Sequence, residues 1–147
     1  CPVVFISNAY FDKHDIMTAT AMFVSEKEPL LAVSVAKDHL TAELIEQSGV
    51  FTVVIASEGQ KELYKKLGSL RGDEVDKFAK LAIATLPGRP GKALIPEGAA
   101  GWLDCEVSSR HWVDGYLVVV GRVVGYEDKD QQPLLWQKDA LFTLKQV

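Results

Sequence analysis

Two long strand-like segments joined by Asp114-Gly115 constrain this chain more than any other feature. Leu103 to Val113 and Tyr116 to Tyr126 both have the β-branched and aromatic content of strands, and an Asp-Gly pair between such runs supplies the left-handed turn that reverses a chain within two residues. The reading is a long antiparallel ribbon. A ribbon of this kind favours hairpin pairing over the strand and helix alternation of a doubly wound parallel sheet.

The remaining segments extend that pattern. Pro2 to Asn8 reads as a buried strand, Asp12-Lys13-His14-Asp15 as a polar break of hairpin length, and Ile16 to Met22 as the returning strand. The Thr and Ala alternation of that returning strand has two readings. Small side chains let a flat ligand lie close to the backbone, or they mark an edge strand with exposed threonines. Leu30 to Ala36 is a further strand, and Lys37-Asp38-His39-Leu40-Thr41 opens a helical pattern that runs through Ala42, Leu44 and Ile45 to Ser48, with Gly49 in the terminating position. Val50 to Ala56 is another strand. Ser57-Glu58-Gly59-Gln60 matches a capping box, with Leu63, Tyr64 and Leu67 at helical spacing behind it up to Gly68. Glu74 to Ala82 is expected to form a short third helix with Val75, Phe78 and Leu81 on one face. Residues 83 to 101 are rich in Pro and Gly, which predicts a surface excursion able to act as a lid. Pro133 to Trp136 and Ala140 to Leu144 supply short strands. Six or more strands in hairpins with two or three helices between them predict a mainly β fold with helical insertions, built as an antiparallel barrel in one domain over residues 1 to 147.

Composition narrows the partners. Asp and Glu number 20 against 16 Lys and Arg, and this acidic balance, with no basic stripe carrying interleaved aromatics, argues against nucleic acid. No apolar run approaches the roughly 20 residues that cross a bilayer. Cys1 and Cys105 are too far apart for a metal or redox pair, and Cys105 alternates with Leu103 and Val107 as a small buried side chain would. The chain opens without Met and without a secretory pattern, so a few preceding residues and a cytoplasmic setting are expected. No GxGxxG, Walker, HExxH or GxSxG motif occurs, which removes the common nucleotide, zinc-protease and hydrolase readings.

The junction from Leu30 to Thr41 is the candidate site. A strand feeding directly into a helix start places unpaired backbone N–H groups and the positive end of the helix dipole beside Lys37 and the Thr41 hydroxyl, which together make an anion pocket suited to phosphate. The alternative is that Asp38 is an ordinary N-cap occupying those N–H groups and Lys37 is a solvated loop cation.

Several segments in order carry a resemblance: Pro2-Val3-Val4-Phe5-Ile6, Ile16-Met17-Thr18-Ala19, Leu31 to Lys37, Thr41 to Ile45, Ser48 to Phe51, Gly72 to Phe78, Leu103 to Val107, Val119 to Val123 and Pro133-Leu134-Leu135. Over nearly its whole length the chain resembles the flavin reductase-like family of FMN-binding split barrels, which includes the flavoredoxins. That resemblance implies a homodimeric, Greek-key split β-barrel holding FMN near the subunit interface. It implies that Met17, Thr18 and Ala19 line the flavin ring, that Ser34 and Val35 border it, and that Lys37, His39 and Thr41 hold the phosphate end. It also implies either hydride transfer from NAD(P)H to the flavin or electron exchange with a redox protein. The chain departs from the family at Asp15, Val54, Arg71 and Trp136. Arg71 is either a compensating cation for phosphate or nicotinamide nucleotide, or an exposed loop residue; Trp136 either stacks on a ring or packs the barrel edge. These departures bear on substrate choice.

In such a protein the cofactor supplies the chemistry, so no side chain is nominated as catalytic. His14 and His111 fall on expected turn or strand surfaces. The contrasting reading is a non-redox barrel module that uses the same pocket for another phosphorylated ligand or for haem.

Overall fold

The computed structural model describes residues Cys1 to Val147. Six strands close a barrel in the order β1-β2-β3-β6-β5-β4: β1 (Val3–Tyr10), β2 (Lys13–Ser25), β3 (Leu30–Ala36), β4 (Val50–Ile55), β5 (Gly101–Val113) and β6 (Tyr116–Asp128). Every pairing in it is antiparallel. Helix α1 (Leu40–Ser48) links β3 to β4, α2 (Lys61–Leu67) and α3 (Lys77–Lys80) follow β4, and β7 (Leu135–Gln137) with β8 (Ala140–Phe142) forms a separate hairpin. No helix is long and apolar enough to cross a membrane.

Two apolar layers explain why β1 is hydrophobic at almost every position. Val4 and Ile6 face the barrel interior with Val33, Val35, Val53, Leu117 and Val119, while Val3 and Phe5 face outward beneath Leu67 of α2, Phe78 of α3, Ile95 and Leu134. Both faces of this strand are therefore buried, at roughly 1.5–3 kcal/mol for each large side chain removed from water. Ala42 and Ile45 of α1 join the interior cluster, so the helix is seated on the barrel by its apolar face. A Cβ at Gly121 would lie 2.5 Å from Phe51 Cζ, so the absence of a side chain there lets the Phe51 ring fill the interior.

The ribbon from Leu103 to Tyr126 forms as expected and extends slightly at both ends, turning at Asp114, whose φ is 51°. Helix α1 ends at Gly49, with φ 70° and its N–H donated to Ile45 O, and the Ser57 to Gln60 capping box is present ahead of α2. Four expectations change. The polar break is confined to Phe11 and Asp12, and His14 and Asp15 are strand residues paired with Ala9 and Asn8. The third helix covers only Lys77–Lys80, with Asp76 capping it through Ala79 N. Strand β2 is bonded on both sides, so the edge-strand alternative does not hold. Residues 83 to 100 lack helix and strand, as expected, but are only in part a surface excursion: Ala93, Ile95, Ala99 and Ala100 are buried, and the Ser7 hydroxyl donates to Leu94 O at 2.7 Å. Apolar residues between the Pro and Gly turns anchor that segment to the outer core.

Candidate functional site

A groove runs between the outside of β2 and helix α2. Its larger part is a cavity of about 260 Å³ lined by Met17 and Thr18 of β2, His39 ahead of α1, Leu67 to Arg71 at the end of α2 and beyond, and Lys77 of α3. Beneath it lies a buried charge pair. Lys77 Nζ is 3.0 Å from Asp15 Oδ1 and donates to Ile16 O at 2.7 Å, while the Thr41 hydroxyl donates to Asp15 Oδ2 at 2.7 Å. An enclosed carboxylate without partners would be strongly disfavoured; here a cation and a hydroxyl from two different helices compensate it. Strand β2, α1 and α3 are thereby tied to one point. Gly72 lies directly against the same carboxylate, since a Cβ there would sit 2.3 Å from Asp15 Oδ1.

Arg71 closes the mouth. Its guanidinium donates to Asp38 Oδ2 at 3.0 Å, to Asp38 O at 2.9 Å, and to Asp73 Oδ1 at 3.2 Å. These hydrogen bonds hold the Asp38 and Asp73 carboxyls below the usual carboxylate range and raise Arg71 above its own. The loop after α2 is strapped to the residues that precede α1.

The residues singled out from sequence divide sharply. Met17, Thr18 and His39 meet in the cavity, and Ala19 lines the smaller continuation of the groove. His39 is the N-cap residue of α1 and makes no side-chain cap bond; its Nδ1 is buried without a hydrogen-bond partner. Asp38 is therefore not the cap, because the helix starts later than its pattern indicates and Arg71 takes the Asp38 carboxylate instead. Thr41 is fully buried, and its hydroxyl is donated to Asp15. Val35 faces the barrel interior at 0% exposure, so only its backbone is placed to border a ligand outside the barrel. Ser34 points outward on β3 opposite Val118 and lines neither part of the groove. Lys37 is exposed, with its ammonium 5.9 Å from the centre of the Trp112 ring. Sequence reasoning missed Lys77, whose only signal was a lysine beside Phe78 on an apolar helix face.

The cavity fits a flavin by the character of its lining. Leu67 and Leu70 provide apolar walls for a planar ring, Thr18 a hydroxyl, and His39 Nδ1 an orphaned polar atom at the start of a nine-residue helix, while Met17 borders the cavity with its side chain packed in the barrel interior. A cleft of about 340 Å³ between β4, β5 and residues 91 to 93 is less suited. Its Asp104 carboxylate is already closed by Arg89 at 2.6 Å and by the Thr52 hydroxyl at 2.7 Å.

A closed antiparallel barrel with a helix-walled lateral groove of this kind is a ligand-binding barrel. Residues 2 to 145 match the flavin reductase like domain, and the chain belongs to that family. Among its relatives, the reductase subunit HsaB of a flavin-dependent monooxygenase from Mycobacterium tuberculosis is 33% identical over 81% of this chain and 59% of its own length. The chain thus spans about three fifths of that protein. The NADH:FAD oxidoreductase SgcE6 of Streptomyces globisporus superposes with a TM-score of 0.86 at 18% identity, over 99% of this chain and 86% of that one. A flavoredoxin from Methanosarcina acetivorans gives a TM-score of 0.84 at 20% identity, over 99% and 86%. At these identities the two structures establish the shared barrel.

Proposed function

We propose that this chain is a flavin-dependent oxidoreductase domain that holds FMN in the groove between β2 and α2 and reduces it with NAD(P)H. The observation that carries the reading is the orphaned His39 Nδ1 at the N-terminus of α1, inside a cavity otherwise walled by apolar side chains. Family membership and the reductase names of its relatives support it.

When bound, the flavin supplies the hydride and electron chemistry, and the protein's part is to bind, orient and exclude water. His39 and Arg71 line the cavity and hold the anionic end. Lys37, lying outside, contributes long-range attraction that salt would screen. The Thr18 side chain and the β2 backbone at Met17 form the surface on which the ring lies, and the Asp15, Lys77 and Thr41 network fixes that surface relative to both helices. In this proposal two copies associate through β2 and the β5–β6 ribbon, where Met22, Phe23, Val113 and Tyr116 are 53–66% exposed. Sedimentation equilibrium would give twice the chain mass.

The test is a visible spectrum of the protein after equilibration with FMN and gel filtration. Flavin bands that bleach anaerobically on adding NADH or NADPH support the reductase. Bands that persist until a reduced redox protein is added convert the assignment to the electron carrier suggested by the flavoredoxin neighbour. Protein that emerges colourless and does not quench FMN fluorescence overturns both and leaves a non-redox binding module.

A further inference from the structure

Arg71 stands at the mouth of the cavity with its donors already engaged. Its Nε donates to Asp73 Oδ1 at 3.2 Å, Nη1 to Asp38 Oδ2 at 3.0 Å, and Nη2 to Asp38 O at 2.9 Å and to Asp73 Oδ2 at 3.3 Å. A guanidinium has five N–H groups, so only one remains, on Nη1. Glu74 Oε1 lies 3.8 Å from Nε as well, which sets the carboxylates of Asp38, Asp73 and Glu74 around a single cation. Lys77, the other cation lining the cavity, is closed by Asp15. An anion arriving at Arg71 therefore meets a neutralised fork, and it gains a charge-assisted pair there only by replacing a carboxylate.

We infer that Asp38 is the group replaced, an internal competitor that sets how tightly the site holds the phosphate end of its ligand and hence how far it prefers FMN to unphosphorylated riboflavin. Asp73 is two residues from Arg71 on the same loop and moves with it. Asp38 comes from the segment ahead of α1, 33 positions earlier, and is followed directly by the His39 that lines the cavity. Its side chain is 68% exposed against 48% for Asp73. It gives the guanidinium a single carboxylate hydrogen bond where Asp73 gives two. The Asp38 carboxylate is thus the more readily released into water. The bond from Nη2 to Asp38 O is made to backbone, so it survives that release and keeps the loop strapped across the mouth while the phosphate takes the vacated N–H. Carboxylate and phosphate exchange at one donor, and the bound ligand stays exchangeable.

That the ligand is FMN rests on the functional reading above, whereas competition at Arg71 extends to inorganic phosphate, and this separates the two. Fluorescence titration at low ionic strength compares FMN and riboflavin on the wild type, Asp38→Asn, Arg71→Ala and the double variant, and phosphorus NMR follows inorganic phosphate on the same proteins. The amide of Asp38→Asn is a weaker acceptor than the carboxylate and leaves the backbone contact in place. Asp38→Asn should therefore tighten FMN and inorganic phosphate by about three- to tenfold, with riboflavin unchanged within about twofold. With Arg71→Ala already present, the same substitution should change FMN by less than about twofold. Circular dichroism of each variant verifies the fold. Three results overturn the proposal: FMN affinity that is unchanged or weaker in Asp38→Asn, an equal gain for riboflavin, or an equal gain in the absence of Arg71. Each of these, in a wild type that binds FMN, leaves the flavin reading standing. Phosphate affinity that rises in Asp38→Asn only when Arg71 is present, in a protein that takes no flavin, sustains the competition and removes the flavin reading. Binding of neither flavin nor phosphate overturns both.

Discussion

Lys77 Nζ lies 3.0 Å from Asp15 Oδ1, with the two side chains only 2% and 1% exposed, and this pair is the foundation of the groove. A charge that loses its partner at such a site is left uncompensated in a low-dielectric interior. Lys77→Ala and Asp15→Ala are each expected to lower the unfolding free energy by about 3–5 kcal/mol. Replacing both by apolar residues, as in Lys77→Met with Asp15→Leu, should cost much less than the sum. Thr41→Val, which removes one donor from Asp15, should fall between at about 1–3 kcal/mol. Urea unfolding of the four variants checks the order, and a Lys77→Ala loss below about 1 kcal/mol would show that the pair is not structural.

Gly72 gives a second prediction about the same carboxylate. Its Cβ would stand 2.3 Å from Asp15 Oδ1 and 2.7 Å from Oδ2, and Asp15 cannot swing aside while Lys77 and Thr41 hold it. Gly72→Ala should therefore destabilise by about 1–3 kcal/mol, the usual cost of overpacking. In an Asp15→Ala background the obstruction is gone, so the same substitution should cost little. The coupling is read from a double-mutant cycle. Additive losses would mean that Gly72 is needed for its backbone and not for space.

These two residues also show where local sequence patterns stop being informative. The long ribbon, the end of α1 at Gly49 and the capping box at Ser57 are set by neighbours within a few positions, and each is legible. Asp15 is not, because a carboxylate after Lys13 and His14 has the pattern of a turn unless Lys77, 62 positions away in the chain, is known to enclose it. The bond from the Thr41 hydroxyl to Asp15 is hidden for the same reason. Ser34 and Val35 illustrate a different limit: adjacent strand residues point to opposite faces, so at most one of the two can present its side chain to a given ligand and the other is left with its backbone. Their placement, Ser34 outward and Val35 in the core, follows that alternation. Within the candidate site, the strand Met17-Thr18 and the start of α1 were legible as locations, whereas the side chains that face the cavity depended on α2 and α3.

Placement of the polar side chains leads to a third prediction. His39 and Arg71 line the cavity and Lys37 does not. His39→Ala is expected to weaken FMN binding about tenfold or more, as loss of a hydrogen bond to a charged group does. Lys37→Ala should weaken it only a few-fold at low salt and scarcely at all near 1 M salt, where screening removes contributions from exposed charges. Fluorescence titration of FMN at the two ionic strengths distinguishes them. A Lys37→Ala effect larger than that of His39→Ala, and independent of salt, would place the phosphate outside the cavity.

Acid stability tests the carboxylate network away from the groove. Burial pushes the Asp104 carboxyl up, but the Arg89 and Thr52 hydrogen bonds and the Arg89 charge outweigh it, and the net direction is below the ordinary 3.8. A carboxyl with a depressed folded pKa binds protons more readily in the unfolded chain. It therefore contributes its full stabilisation above the unfolded value and loses it as pH falls through the folded one. The melting temperature of Asp104→Asn should accordingly lie below that of the wild type by a constant margin from neutral pH down to about 5. The margin should then narrow below 3.8, as the wild-type carboxylate is neutralised and becomes more like the amide that replaces it. Thermal unfolding at pH 7, 5, 4 and 2.5 follows the difference. A margin that stays the same at every pH would mean that Asp104 acts through packing and neutral hydrogen bonds, and that the Arg89 charge adds nothing to the fold.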